Sequence, residues 1–179
     1  MSVRKKINNS ILELTTGDIT VEETGAIVNA ANTALSPGGG VSGAIHRAAG
    51  PGLWEECRNL GGCKTGEAKL TGGYNLKAKY VIHTVGPVYS GRAGDGDDLK
   101  NSYYNSLLLA SQNNIKSIAF PSISTGIFGY PTGDASVIAL GTIIDFLKEH
   151  REIELVKMVL FSDTDYHTYS LSLEKVLKD

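Results

Sequence analysis

Residues 26–50 read AIVNAANTALSPGGGVSGAIHRAAG, and their order decides the fold. A short apolar run, Ala26-Ile27-Val28, ends in Asn-Ala-Ala-Asn. A glycine cluster follows at 38–40, and then an apolar-periodic run that predicts a helix over 42–49. Strand, glycine loop and helix in this order bring Asn29, Asn32 and bare backbone to a strand end facing a helix N-terminus. Unpaired N–H groups converge there and the helix dipole favours negative charge, so the place suits a phosphate-bearing ligand.

The same alternation continues outward. Residues 11–15, 67–71, 79–85, 117–121 and 155–161 read as strands, those at 67–71 and 79–85 as a hairpin closed by GGYNLKA. Helices are predicted over 20–24, 51–59, 99–112, 135–150 and 165–177, and SGRAGDGDD (90–98) as a mobile surface loop. Strands alternating with helices predict an α/β sheet covered on both faces, and the hairpin makes that sheet mixed. Ligands of open α/β sheets bind beyond the carboxyl ends of the strands. Four polar or glycine-rich segments follow strands: 17–20, 29–43, 122–129 and 162–164. Gathered on one edge, they would form one cleft.

Composition limits the function classes. The 179 residues make one domain with a sizeable core, 41% hydrophobic and 20% charged. A net charge of −2 supplies no global basic field for nucleic acid, so any phosphate site is local. No signal peptide or membrane span is evident, and a cytoplasmic chain is expected. The two cysteines, Cys57 and Cys63, are expected to be reduced and without function.

The glycine cluster formally fits G-x-G-x-x-G at 38–43. Nine residues separate it from its strand, and no suitably placed acid follows, so a dinucleotide fingerprint is rejected. A second glycine loop, Ser122-Ile123-Ser124-Thr125-Gly126-Ile127-Phe128-Gly129, also lies between strand and helix. Two such loops could hold a diphosphate between them. Asn29 and Asn32 either fix the first loop or meet ribose hydroxyls. Asp18 either caps a following turn or accepts from an exocyclic amine. Phe128 and Phe161 are either core residues or stacking partners for a ribose and a base. His83 reads as a core histidine in a strand. His46 is expected in the first helical turn, neutral and packed. Ser42 lacks the strand–turn–helix context of a nucleophile elbow.

Together these segments resemble the macrodomain family of ADP-ribose-binding modules. The matching stretches are GDIT (17–20), AIVNAAN (26–32), GGGVSGAIHRAAG (38–50), YVIHTVGP (80–87), FPSISTGIFGYP (120–131) and VLFS (159–162). They cover almost the whole chain in order, and they are most similar to the MacroD-type branch. Members of that branch hydrolyse O-acetyl-ADP-ribose and remove single ADP-ribose units from acidic side chains. The resemblance implies a three-layer α/β/α sandwich around a mixed, mostly parallel sheet, a single macrodomain over 1–179. Asp18 and Ile19 would bind adenine, with Phe161 stacked near the ring. Gly39, Gly40, Val41, Ser42 and Gly43 would enclose the diphosphate with Ser124, Thr125, Gly126, Ile127 and Phe128. Asn32, with Ala31 beside it, would meet the distal ribose. No metal or cofactor is implied, and the expected partners are ADP-ribose or O-acetyl-ADP-ribose and mono-ADP-ribosylated proteins.

The chain departs from its relatives at two places. Pro37 replaces the first of four glycines, and Ser42 replaces an aspartate that helps position the attacking water. A serine hydroxyl is a weak base at neutral pH, and losing a general base typically removes about 10²–10⁴-fold of rate without abolishing binding. Asn32 and Ser42 are therefore the candidate catalytic pair of a distal-ribose ester hydrolase. The alternative is a module that binds ADP-ribose or its protein conjugates without turnover. A nucleic-acid binder is a third class that the acidic charge balance opposes.

Overall fold

The computed structural model describes residues 1–179. Seven strands, β1 (Ser2–Ile7), β2 (Ser10–Thr16), β3 (Ala26–Ala30), β4 (Ala68–Gly72), β5 (Tyr80–Thr84), β6 (Ser117–Phe120) and β7 (Leu155–Leu160), form one sheet. The spatial order is β1-β2-β7-β6-β3-β5-β4. The five central strands, β2, β7, β6, β3 and β5, run parallel. β1 and β4 close the two edges antiparallel to their neighbours. The sheet is therefore mixed and mostly parallel, as expected, and the β4–β5 hairpin is present.

Side-chain alternation divides the core in two. Ala26 and Val28 of β3, Ile82 of β5, Phe120 of β6 and Met158 of β7 face a cluster of 29 buried residues. This cluster lies beneath α3 (Ala93–Gln112), α4 (Thr132–Glu149) and α5 (Asp163–Lys178). Ile27, Val81, Ala119 and Val159 face a cluster of 15, beneath α1 (Gly40–Ala49), α2 (Pro51–Cys57) and a 3-10 turn at Ile19–Val21. Helices on both faces of one sheet make the three-layer sandwich. No helix is long and apolar enough to cross a membrane.

Several boundaries differ from the sequence reading. The edge strand β1 was not expected; SVRKKI alternates weakly because most of it is exposed. Residues 93–98 belong to α3 rather than to a loop. The Asp95 carboxylate accepts from the N–H groups of Ser90 and Gly91 and from the Ser90 hydroxyl, which anchors the turn before the helix. The helix expected over 20–24 is the shorter 3-10 turn. α1 begins at Gly40, two residues early, so His46 lies in its last turn, not its first. Gly50 then turns the chain with φ +86°, a region that favours glycine, and Pro51 opens α2.

Candidate functional site

Because β2, β7, β6, β3 and β5 are parallel, their carboxyl ends share one edge of the sheet. The edge carries, in spatial order, Asp18 after β2, Phe161 after β7, the 122–129 loop after β6, the 31–40 loop after β3 and Gly86 after β5. Between the last three lies a cleft of about 220 Å³. Its walls come from Ala31, Asn32 and Gly38–Ser42 on one side, and from Ser122–Ser124 and Gly126–Phe128 on the other.

Two close approaches shape the first loop. A Cβ on Gly43 would collide with the Gly38 carbonyl oxygen, so glycine lets the loop fold back onto the opening turn of α1. The second contact is made by Asn32, whose amide Nδ2 donates to the Ser36 carbonyl at 3.0 Å while its Oδ1 accepts from the Ser36 N–H at 3.0 Å. Asn32 thus both ties the loop and lines the cleft. Asn29 has a different role. Its Nδ2 donates to His83 Nδ1 at 3.1 Å, under the α1–α2 layer and away from the cleft. The opposite ring nitrogen of His83 meets Thr71 Oγ1 at 2.9 Å. Burial, with a smaller contribution from nearby His46, lowers the His83 pKa to about 3, so the ring is neutral.

A buried network beneath the sheet edge holds the second loop. Tyr103 of α3 accepts from the Ile123 N–H at 3.1 Å and donates to the Pro121 carbonyl at 3.3 Å. Tyr169 of α5 shares a 2.7 Å hydrogen bond with Ser122 Oγ, which also accepts from Thr125 Oγ1 at 2.8 Å. Thr125 is therefore a loop-fixing residue outside the cleft lining. Ser124 adopts φ +68°, uncommon for a residue with a side chain, and packs against Gly86. Its buried Oγ has no hydrogen-bond partner, nor does the buried Oγ of Ser42. Both residues line the cleft, so polar capacity is left for an occupant there.

The other expected site residues sort by position. Phe161 is 92% exposed and Ile127 is 94% exposed, so neither is core; Phe128 is half-buried in the cleft wall. Asp18 is exposed, and its Oδ1 accepts from Thr20 N–H at 2.9 Å and Thr20 Oγ1 at 2.7 Å, capping the 3-10 turn. The second carboxylate oxygen makes no hydrogen bond within the protein. Ile19 is buried in the core below, which places its side chain beneath the edge. Gly43 packs under the loop rather than lining the cleft. Ala30, Gly38, Gly86, Ser122 and Ile123 also line the cleft, although the sequence did not mark them as ligand contacts. The VGP segment after a strand was the available signal for Gly86.

Fold and cleft together define an α/β/α protein with a two-loop ligand site at the carboxyl edge of its parallel strands. The Macro domain family model matches residues 28–139. ADP-ribose glycohydrolase MACROD2 of Mus musculus is 52% identical over 174 residues, covering 96% of this chain and 37% of that protein. The solved Oceanobacillus iheyensis macrodomain with ADP superimposes with TM-score 0.96 and 45% identity, covering 99% of this chain and 97% of that one. A Trypanosoma brucei macrodomain in complex with ADP-ribose gives TM-score 0.86 and 46% identity over 89% of this chain and 68% of that one. This chain belongs to the Macro domain family. It spans well under half the length of the MACROD2 relatives, from 37% to 42%.

Proposed function

We propose that the chain binds ADP-ribose along this edge and hydrolyses esters of the distal ribose. The strand order is the observation that carries the reading. Five parallel strands about 4.8 Å apart span roughly 19 Å, room for an extended nucleoside diphosphate with a second sugar. Adenine lies over Asp18 and Phe161, at the ends of β2 and β7. Diphosphate passes between the loops after β6 and β3, whose backbone N–H groups and the start of α1 suit its charge. The distal ribose falls beside Asn32 and Gly86, at the ends of β3 and β5. The glycohydrolase names of the relatives, and the ADP and ADP-ribose in the solved neighbours, support the same ligand.

In the reaction, water adds to the ester and the bond joining the distal ribose to the acyl oxygen or acyl carbon breaks. The products are ADP-ribose and a free carboxylic acid, with no further reactant. Asn32 orients the ribose, and Ser42 Oγ holds the water against the ligand's own phosphate. The N–H groups of residues 124–128 stabilise developing negative charge. A second reading rests on Ser42: a neutral hydroxyl is a poor base, and a module that binds without turnover would need nothing more. Release of ADP-ribose from a mono-ADP-ribosylated protein and of acetate from O-acetyl-ADP-ribose, measured beside ADP-ribose calorimetry, separates the two.

A further inference from the structure

A second cavity lies next to the cleft and takes no part in the chemistry above. It is an open groove of about 500 Å³ where α1 turns into α2. Its lining includes Pro37, His46, Arg47, Trp54, Glu55 and Arg58. Pro37 borders the groove and the next residue, Gly38, borders the cleft. Likewise Ser42 lines the cleft and His46, one helical turn on, lines the groove. The groove therefore begins one residue along the loop and one turn along α1 from the lining of the cleft.

The groove's chemistry is that of an anion site. Arg47 and Arg58 are exposed and neither forms an ion pair within the protein. A guanidinium nitrogen of Arg47 lies 3.0 Å from the Cβ that Gly43 lacks, so the side chain folds back along α1. His46 is only 7% exposed, with its ring 6.4 Å from that of buried His83, so it closes the inner wall of the groove. Half-buried Trp54, with Pro37 and Pro51, offers apolar surface for a side-chain stem. Glu55 is the one opposing charge.

We infer that this groove binds an acidic peptide segment, the part of an ADP-ribosylated protein that flanks the modified carboxylate. The inference rests on the reading of the cleft given above and adds a peptide subsite beside it, one that the acetyl ester is too small to reach. Forked guanidinium groups suit carboxylates in bidentate pairs. Two cations in a chain of net charge −2 are too few for a nucleic-acid backbone.

Trp54 is the sole tryptophan, so its fluorescence reports the groove directly. The test titrates the intact protein with an unmodified glutamate-rich peptide, a glutamine-rich counterpart and oligo-dT, in wild type and in the Arg47→Ala/Arg58→Ala variant. A saturable Trp54 response to the glutamate peptide alone is expected, weakened about tenfold or more in the variant and by added salt, with ADP-ribose affinity unchanged. No response to the glutamate peptide, equal responses to both peptides, or a response to oligo-dT overturns the inference. Because the peptide carries no ADP-ribose, failure of ADP-ribose to bind would count against the cleft and leave the groove's result intact.

Discussion

The carbonyl oxygen of Gly38 occupies the space that a Cβ on Gly43 would need. The first loop and the opening turn of α1 are thereby held together before any ligand arrives. Gly43→Ala forces that carbonyl outward. Overpacking of this kind costs about 1–3 kcal/mol. Calorimetry should show weaker ADP-ribose binding by roughly tenfold or more, with far-UV circular dichroism unchanged; full affinity would remove this contact from the account.

Asp18 makes two demands separable by one substitution. Asp18→Asn keeps an Oδ1 that accepts from Thr20 N–H, so thermal stability should hold. It places an amide donor where a carboxylate oxygen would accept from the adenine amine. ADP-ribose affinity should fall by about 1–3 kcal/mol, the cost of mismatching a polar partner. The inosine counterpart, which lacks that amine, should bind at least as well as before. Equal losses for both ligands would take Asp18 out of base recognition.

Buried His83 makes stability pH-dependent. Its folded pKa, about 3, is depressed below the ordinary value near 6.5 chiefly by burial, so the unfolded chain takes up the proton first. The contribution is fully present above pH 6.5 and is lost as pH falls toward 3, on the order of 5 kcal/mol in all. Denaturant melts of His83→Gln should show a flatter acid limb than wild type across that window. Parallel limbs would mean that the ring is charged in the fold.

Much of this site was legible because its signals are local. An apolar run followed by glycines announces a strand end and a loop whatever the rest of the chain does, so β3 and both loops fell where the sequence placed them. Features that depend on tertiary context were not. β1 is a charged edge strand whose pairing with β2 gives it identity, and α3 starts among glycines because Asp95 organises the turn before it. Asn29 and Asn32 look equivalent in sequence, yet Asn29 lies within β3 and faces the α1–α2 layer, while Asn32 lies past the strand end and lines the cleft. The choice between core and ligand for Phe161 required its 92% exposure. Trp54 and Arg58 lie outside every motif, and only the α1–α2 corner gathers them with Arg47.

Ser42→Asp restores a carboxylate where the hydroxyl lines the cleft. A general base contributes about 10²–10⁴-fold. Ester hydrolysis by the variant should rise at least tenfold in kcat, with ADP-ribose affinity little changed. An unchanged or lower rate would mean that this position does not hold the attacking water.

Wild-type turnover on a mono-ADP-ribosylated acidic peptide tests the central claim most directly. The account predicts saturable release of free ADP-ribose, with regenerated carboxylate in equal amount, by a protein that also binds ADP-ribose in calorimetry. Tight binding with no product over hours would contradict it and leave a module that reads the ligand without cleaving it.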